Sequence, residues 1–426
     1  MDKRIEYIDA MRGFNIIILV MVHVSGFCLC IESNVPSIVS YFSEFMLPLF
    51  FFISGFVCYR KDTLWDFSFS SKFLRKKFTL LIIPTCIFFS IYIYVKNLGI
   101  QESLISGSKA GYWFTFVLFE YFILYSIIRN FTTTIQLKSI WEDIFAIGCG
   151  IALFVITIPS ILEYIPIDDR IIGLLSFKHL CYFIYFVIGT IVKKHFDRFT
   201  CLINGKLFIS CCLVIFFGLN IFQDVATSHH FNLFRLLTAI TAIFVTLNYF
   251  VSHSIQFSRS TWLGKCLCYI GRRTLDIYFI HYFLLPLNLS YVLPIFTLHP
   301  MPIIELATTF TVAISIISVC LLISSILRSS TILSLLLFGE KKHYYKPNGC
   351  DKCNYEGYSG RMGVYEIMPI TKEIKKLIAQ GAHDITIEEA AIGAGMKTLQ
   401  HACLNHIIEG NTTIDEFLRV LGPVKE

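Results

Sequence analysis

Apolar residues occur in ten long runs that are separated by short polar connections. Each run is close to the roughly 20 residues that a helix needs to cross the hydrocarbon core of a bilayer. We predict membrane-spanning helices at residues 10–30, 38–58, 78–96, 112–129, 143–161, 175–192, 206–222, 233–251, 274–292 and 303–327. The pattern predicts an all-α, polytopic membrane bundle of about ten transmembrane helices over residues 1–340.

The pattern changes near residue 340, and residues 343–426 are polar and contain no long apolar run. Residues 384–399 and 415–421 have helical character within this part. We therefore predict a second domain at 343–426, a small and mainly helical soluble segment.

Lysine and arginine are concentrated in alternate connections between the predicted spans. The basic connections contain Lys3, Arg4, Arg60, Lys61, Lys72, Arg75, Lys76, Lys77, Lys193, Lys194, Arg198, Arg259, Lys265, Arg272, Arg273, Arg328, Lys341 and Lys342. The connection at 31–37 contains neither residue type. Because cytoplasmic loops carry the excess of Lys and Arg, both termini are expected in the cytoplasm.

Composition agrees with a membrane protein and changes the interpretation of the charge. Charged residues make up 15% of the chain and hydrophobic residues 55%, whereas a soluble domain has about 25% charged residues. The net charge of +6 reflects topology, and we expect no nucleic-acid partner. Most of the fifteen cysteines lie in apolar runs, where cysteine behaves as a small hydrophobic residue.

Arg12 and His23 are ionisable residues within the first predicted span. They are eleven residues apart, so on one helix they share a face and lie about 16 Å apart. Ionisable residues inside a membrane usually face the bundle interior and mark function. An arginine could bind an anionic group there while the deeper histidine acts as a general base. The alternative is an arginine that extends to the membrane surface and a structural core histidine.

Ser54 follows Pro48 in the second span and precedes Gly55. A bent helix with a close packing interface explains this segment at least as well as a chemical role for Ser54. Lys76 and Lys77, before the third span, form a basic cluster that can attract phosphates. From the residues alone, a topology signal is the better explanation of this cluster.

Two later spans also contain polar residues. Trp113 lies in the fourth, and Glu120 follows it there, where an isolated carboxylate is expected to face the interior. The ninth span contains Asp276 and, after Tyr278, His281. For His281 taken alone, a structural role is the favoured interpretation.

These segments together resemble the acyltransferase-3 family of membrane acyltransferases. The family's opening signature is similar to Ile8–Phe14 running on to His23, and its Met-Pro-x-Phe-Phe-x-x-Ser-Gly-Phe pattern to Phe45–Phe56. Leu47 departs from that pattern, because it separates Met46 from Pro48. Two later landmarks match Trp113–Phe114 and Tyr278–His281, so the resemblance covers residues 4–330 approximately.

The resemblance implies an enzyme that moves an acyl group, often acetyl from acetyl-coenzyme A, to a hydroxyl of a cell-envelope glycan or similar acceptor. It implies that His23 is catalytic and that Arg12 is its essential partner. We expect no metal. We expect donor or substrate contacts from Ser54, Lys76, Lys77, Trp113, Glu120, Tyr278 and His281. The family often has a pair of basic residues before the third span. Lys77 fits one position of that pair, but Leu80 occupies the other. The expected location is the bacterial inner membrane.

A proton-coupled transporter or flippase is the alternative function. Arginine, histidine, glutamate and aspartate inside apolar spans would suit a carrier equally well. The chain shows no repeated halves with matching broken helices, which many carriers have.

The C-terminal segment has its own resemblance. Gly349–Glu366, Gly395–Leu399 and Gly410–Thr413 are similar to the end of type II secretion and type IV pilus assembly ATPases. In that family a Cys-x-x-Cys pair is half of a zinc site. Only Cys350 and Cys353 are present here, with His343 as a third candidate, so we expect no closed zinc site. No phosphate-binding loop precedes the segment, which therefore is not an intact ATPase. The segment is explained equally by a natural fusion, by an engineered appendage or by a join made during sequence assembly.

Overall fold

The structure is a computed structural model that describes residues 5–29, 38–61, 63, 65–158, 167–225, 231–285, 302–339 and 347–422. All regular secondary structure in these ranges is helical, which confirms the all-α prediction. The chain divides into two compact units, Met1–Glu340 and Lys341–Glu426. The topology signals Lys3, Arg4, Lys341 and Lys342 lie outside the described residues, and so does the candidate zinc ligand His343.

The first unit contains fifteen α-helices among the described residues. They are α1 (Glu6–His23), α2 (Ile38–Cys58), α3 (Phe67–Lys96), α4 (Ile100–Ile105), α5 (Trp113–Thr134), α6 (Ser139–Ile156), α7 (Asp169–Leu174), α8 (Phe183–Lys194), α9 (Phe196–Ile203), α10 (Lys206–Val225), α11 (Phe231–Ser252), α12 (Trp262–Arg272), α13 (Thr274–Leu284), α14 (Pro302–Leu327) and α15 (Thr331–Phe338). A π-helical turn follows α1 at Val24–Cys28, and 3₁₀ turns occur at Lys109–Gly111 and Phe177–Tyr182.

Seven of the described helices are long and apolar enough to cross a membrane, and an eighth candidate is the bent pair α9–α10. The seven correspond to the predicted spans that begin at residues 10, 38, 78, 112, 143, 233 and 303. The predicted span at 175–192 is a 3₁₀ turn followed by the 12-residue α8. The predicted span at 274–292 is described as far as residue 285.

Helix boundaries differ from the prediction where hydropathy is a poor guide. α3 begins at Phe67, well before residue 78, because the Asp66 side chain accepts a hydrogen bond from the Phe69 amide and caps a polar first turn. α12 was not predicted, because it is short and only one side of it is apolar. It packs so closely on α1 that a Cβ at Gly271 would lie 1.8 Å from the Asp9 carbonyl oxygen.

Glycines also fix the contact between α2 and α8. A Cβ at Gly55 would lie 1.9 Å from the Phe186 carbonyl oxygen, and one at Gly189 would lie 2.1 Å from that of Phe52. Backbones can approach this closely only where side chains are absent. The segment after Ser54 therefore forms a tight helix interface.

A buried carboxylate joins α13 to α14. Asp276 accepts hydrogen bonds from Nε and Nη2 of Arg328 at 2.8 and 2.7 Å, and from the Ser324 hydroxyl. Arg273 adds a contact of 3.3 Å. A buried charge that is paired and hydrogen-bonded in this way positions helices, so Asp276 holds α13 in place.

The second unit contains α16 (Lys372–Ala379), α17 (Asp384–Gly393), α18 (Leu399–Glu409) and α19 (Ile414–Leu421). The predicted helix at 384–399 is wrong as a single element. Gly395 has φ +98°, a left-handed conformation that interrupts the helix before α18.

Candidate active site

His23 is the last residue of α1, and the helix changes its winding directly after it. The amide of Leu29 donates to the carbonyl of Val24 at 3.1 Å, which is the hydrogen bond of a π-helical turn. Such turns are rare in proteins as a whole, but those that occur are often found at functional sites. Gly26 and Phe27 in this turn are exposed, while His23 is partly buried.

His23 pairs with His281 of α13. Nδ1 of His23 lies 2.9 Å from Nε2 of His281, and the rings are nearly parallel with centroids 5.1 Å apart. Nδ1 of His281 lies 3.0 Å and 2.9 Å from the carbonyl oxygens of Ile277 and Tyr278. His281 is fully buried, so both of its ring nitrogens are used inside the protein.

The hydrogen-bond network assigns the tautomers of both rings. A carbonyl oxygen only accepts, so Nδ1 of His281 carries its proton and Nε2 of the neutral ring is an acceptor. His23 must then donate from Nδ1. This leaves the lone pair on Nε2 of His23, which has no hydrogen-bond partner among the described residues. Nε2 is therefore the ring atom of His23 that is able to accept a proton.

Tyrosines surround the histidine pair and fix α13. The Tyr282 ring centroid lies 4.1 Å from that of His281 and 5.3 Å from that of His23. The Tyr278 hydroxyl donates to the Gly111 carbonyl at 2.9 Å, and the Tyr112 hydroxyl donates to the Phe279 carbonyl at the same distance. The start of α5 is thereby joined to the helix that carries His281.

A cavity of about 260 Å³ lies along the same face of α1. It is lined by Arg12, Ile16, Leu19, Phe50, Ser54, Val57, Cys58, Lys77, Leu80, Leu81, Phe114, Leu118, Phe122, Thr274, Leu275 and Tyr278. Arg12, Ile16 and Leu19 recur at helical spacing, and His23 is the next position on this face. His23 follows Leu19 by one turn, about 6 Å along the axis.

The cavity brings together four residues from the sequence prediction: Arg12, Ser54, Lys77 and Tyr278. Nζ of Lys77 lies 4.1 Å from the centroid of the Phe122 ring, so its charge sits against an aromatic wall. The Ser54 hydroxyl donates to the carbonyl of Phe50 at 2.8 Å, which leaves its oxygen as an acceptor. The cavity therefore combines two cations with mainly apolar walls.

Three predicted residues lie away from this cavity. Lys76 is exposed and does not line it. Trp113 stacks on His179, with ring centroids 3.9 Å apart and an angle of 19°. Glu120 is partly buried, and its Oε2 is fully covered with no hydrogen-bond partner among the described residues.

Sequence reasoning missed His179, Tyr282 and the π turn. His179 lies inside a predicted span, so the rule that singled out His23 and His281 would have found it too. Tyr282 adjoins His281 in sequence, but nothing in the sequence shows that its ring covers two histidines. A π turn has no sequence signal comparable to the period of an α-helix.

Among the described residues, no group of three or more His, Cys, Asp or Glu side chains is placed to hold a metal ion. Cys350 and Cys353 have their sulfurs 3.7 Å apart. They are two thiols, whereas a closed tetrahedral zinc site takes four ligands.

The C-terminal part of the chain is similar to secretion proteins. A type II/IV secretion system protein family matches residues 305–419. The chain is 43% identical over 72 residues to the type II secretion system protein HxcR of Pseudomonas aeruginosa, covering 17% of this chain and 15% of that protein. It is 35% identical over 79 residues to the type IV pilus assembly ATPase PilB of Myxococcus xanthus, covering 18% and 14%.

These matches take in only a small part of the relatives: the chain spans about a seventh of the length of each. No solved structure matches the chain. A family described as an acyltransferase domain, acyltransferase-3, matches residues 5–327, which include the histidine pair and the cavity. This match covers most of the chain, and the chain therefore belongs to the acyltransferase-3 family of multi-pass membrane acyltransferases.

Proposed function

We propose that this enzyme transfers an acyl group, in the simplest case acetyl, from acyl-coenzyme A to a hydroxyl of a cell-envelope glycan or similar acceptor. The observation that carries the proposal is the histidine pair next to the cavity with two cations. The free lone pair on Nε2 of His23 supplies the base, and the cavity supplies a donor site one helix turn away.

The cavity suits coenzyme A chemically. Arg12 and Lys77 provide positive charge for its phosphates, and Arg presents donors in a geometry that matches phosphate oxygens. The apolar walls formed by Ile16, Leu19 and Phe114 suit the uncharged pantetheine arm and the acyl chain. Arg12 thus anchors the donor while the thioester points along α1 toward His23.

The transfer step uses His23 as base and then as acid. Nε2 accepts the proton of the acceptor hydroxyl as its oxygen attacks the thioester carbonyl carbon. A C–O bond forms, and the C–S bond of the tetrahedral intermediate breaks. The leaving thiolate of coenzyme A takes the proton from His23. His281 remains neutral throughout and orients His23 by accepting from its Nδ1.

The orientation follows from the basic connections. We place both termini in the cytoplasm of a bacterium and the chain in its inner membrane, with α1 running outward from Glu6 to His23. Arg12 and Lys77 then face the cytoplasmic donor. His23 lies toward the outer surface, from which the glycan acceptor arrives.

The segment at 343–426 is proposed to be a cytoplasmic unit that takes no part in acyl transfer. Its relatives are secretion proteins, and the catalytic and cavity residues all lie in 1–340. A protein ending at residue 340 should retain the transfer rate of the full chain. If it folds and inserts normally but loses that rate, the segment belongs to the enzyme.

Label transfer tests the reaction. Purified protein in detergent would be incubated with radiolabelled acetyl-coenzyme A and envelope glycan extracted from the source cells, and labelled glycan would be counted. His23→Ala should abolish transfer, while His401→Ala, at an exposed position of the second unit, should leave it unchanged. Full activity of His23→Ala would refute the catalytic role of His23, and the absence of turnover in the wild-type protein would refute the proposed reaction.

A further inference from the structure

Glu120, Ser176 and His179 contribute buried polar atoms that lack hydrogen-bond partners. Oε2 of Glu120, Oγ of Ser176 and Nδ1 of His179 are all covered, and none has a partner among the described residues. Buried polar atoms are almost always hydrogen-bonded, so these three atoms have hydrogen-bonding capacity that a bound group can use. None of the three residues lines the donor cavity.

Lys109 connects these residues. Its side chain is buried, and Nζ donates to the carbonyls of Leu104 at 3.2 Å and Gly173 at 2.6 Å. An ammonium group has three donors, so one remains. Lys109 makes no ion pair within the described part of the chain. It is nevertheless close enough to interact electrostatically with both Glu120 and His179.

Two segments with unusual backbone bring this cluster together. Lys109, Ala110 and Gly111 have φ values of +43°, +51° and +96°, and Ser176 has +48°. The left-handed region is unfavourable for residues that have a side chain, so packing must hold them there. The packing of α4 against α7 provides this constraint. The two helices are so close that a Cβ at Gly173 would lie 1.7 Å from the Ile105 carbonyl oxygen.

The cluster is also connected to the histidine pair. A Cβ at Gly111 would lie 2.5 Å from Cζ of Tyr282, and the Tyr282 ring packs on both histidines. Trp113, which stacks on His179, follows Gly111 by two residues. The Tyr282 ring therefore contacts both Gly111 and the histidine pair.

We propose that Glu120, Ser176, His179 and Lys109 form a binding site for the acceptor, and that its ligand is a neutral, hydroxyl-rich group such as a sugar unit. Glu120 accepts, Lys109 donates, and serine and histidine do either, which matches hydroxyls that both donate and accept. One cation and one anion balance, so the site favours neither an anion nor a cation. Trp113 stacks on His179 and holds that ring in place.

This inference rests on the proposed function, and it divides the predicted binding residues into two sets. Arg12, Ser54 and Lys77 serve the donor cavity. Trp113 and Glu120 serve the acceptor, on the side of the molecule that the basic connections place outside. Changes in the second set should therefore alter acceptor kinetics and leave the affinity for coenzyme A unchanged.

The test is a titration of envelope glycan extracted from the source cells at saturating labelled acetyl-coenzyme A. Glu120→Gln preserves shape and removes the charge, and it should raise the KM for glycan about tenfold or more, as expected for a lost hydrogen bond to a charged group. Ser176→Ala should act in the same direction. Glu102→Gln, at an exposed position of α4, is the matched control and should behave as wild type.

Coenzyme A binding, measured by calorimetry, separates the outcomes. The inference is supported if Glu120→Gln and Ser176→Ala raise the KM for glycan without changing the Kd of coenzyme A. It is overturned if both variants keep the wild-type KM, or if their loss lies in kcat or in coenzyme A affinity. Those results would leave the proposed function standing. If the wild-type enzyme transfers no label, the proposed function fails and this inference fails with it.

Discussion

Nδ1 of His23 lies 2.9 Å from Nε2 of His281, although the two residues are 258 positions apart in the chain. In the proposed reaction, this contact gives His281 the part of orienting His23, although His281 taken alone looks structural. The Ile277 and Tyr278 carbonyls fix its proton on Nδ1, and this in turn fixes the tautomer of His23. The tautomer of the proposed base is thus set by a chain of hydrogen bonds that begins in the backbone of α13.

Lys77 and Lys76 are neighbours in sequence but differ in position, and this difference predicts their effects. Lys77 lines the donor cavity and Lys76 is exposed. Lys77→Gln should raise the KM for acyl-coenzyme A by roughly ten- to a hundredfold, because a charge-assisted bond to phosphate is lost. Lys76→Gln should change it little. Initial rates against donor concentration decide this, and equal effects of the two variants would remove Lys77 from the donor site.

Gly55 is required by the close packing of α2 on α8. Gly55→Ala should destabilise the protein by about 1–3 kcal/mol, since the new methyl group meets the Phe186 carbonyl oxygen. Gly148→Ala is the control, because a Cβ there meets nothing within 4 Å and alanine favours a helix by about 1 kcal/mol. Thermal unfolding in detergent should lower Tm for the first variant only. Similar Tm values for both would contradict the packing.

The long helices were predictable because a bilayer imposes one simple requirement, about 20 apolar residues for each span. The same requirement explains the errors. Hydropathy reports where the hydrocarbon lies and not where a helix begins, so the polar first turns of α3 were missed. α12 never has to cross the membrane, and its close contact with α1 depends on Gly271 meeting a backbone that lies far away in the sequence.

The candidate site was only partly predictable. The spacing of Arg12 and His23 along one helix follows from helical geometry, and Ser54 and Tyr278 were singled out by the motifs that contain them. The partner of His23 could not be derived, because sequence gives no distance between α1 and α13. Trp113 and Glu120 were expected to contact the donor or the substrate, whereas the folded chain shows Trp113 stacked on His179 and neither residue lining the cavity.

Cys353 in the second unit should be an unusually reactive thiol. Its sulfur accepts hydrogen bonds from the backbone amides of Cys350 and Gly357, each at 3.2 Å. These hydrogen bonds lower the pKa of the Cys353 thiol from its ordinary value of 9.0. The thiolate therefore forms at lower pH than in a free chain. Alkylation of the full protein by iodoacetamide, followed by mass spectrometry across pH, should give an earlier midpoint for Cys353 than an unstructured peptide of residues 347–358. Coinciding midpoints would show that the two amides do not stabilise the thiolate.

The most direct measurement of the central claim is a double-mutant cycle on kcat/KM for acyl transfer, with His23→Ala, His281→Ala and the double variant. His23→Ala should remove the activity that depends on the base. His281→Ala should lower it by about 10²–10⁴, because the ring of His23 loses the partner that fixes its tautomer. Since His281 acts only through His23, the double variant should be no worse than His23→Ala alone. A further loss in the double variant, or activity retained by His23→Ala, would contradict the account.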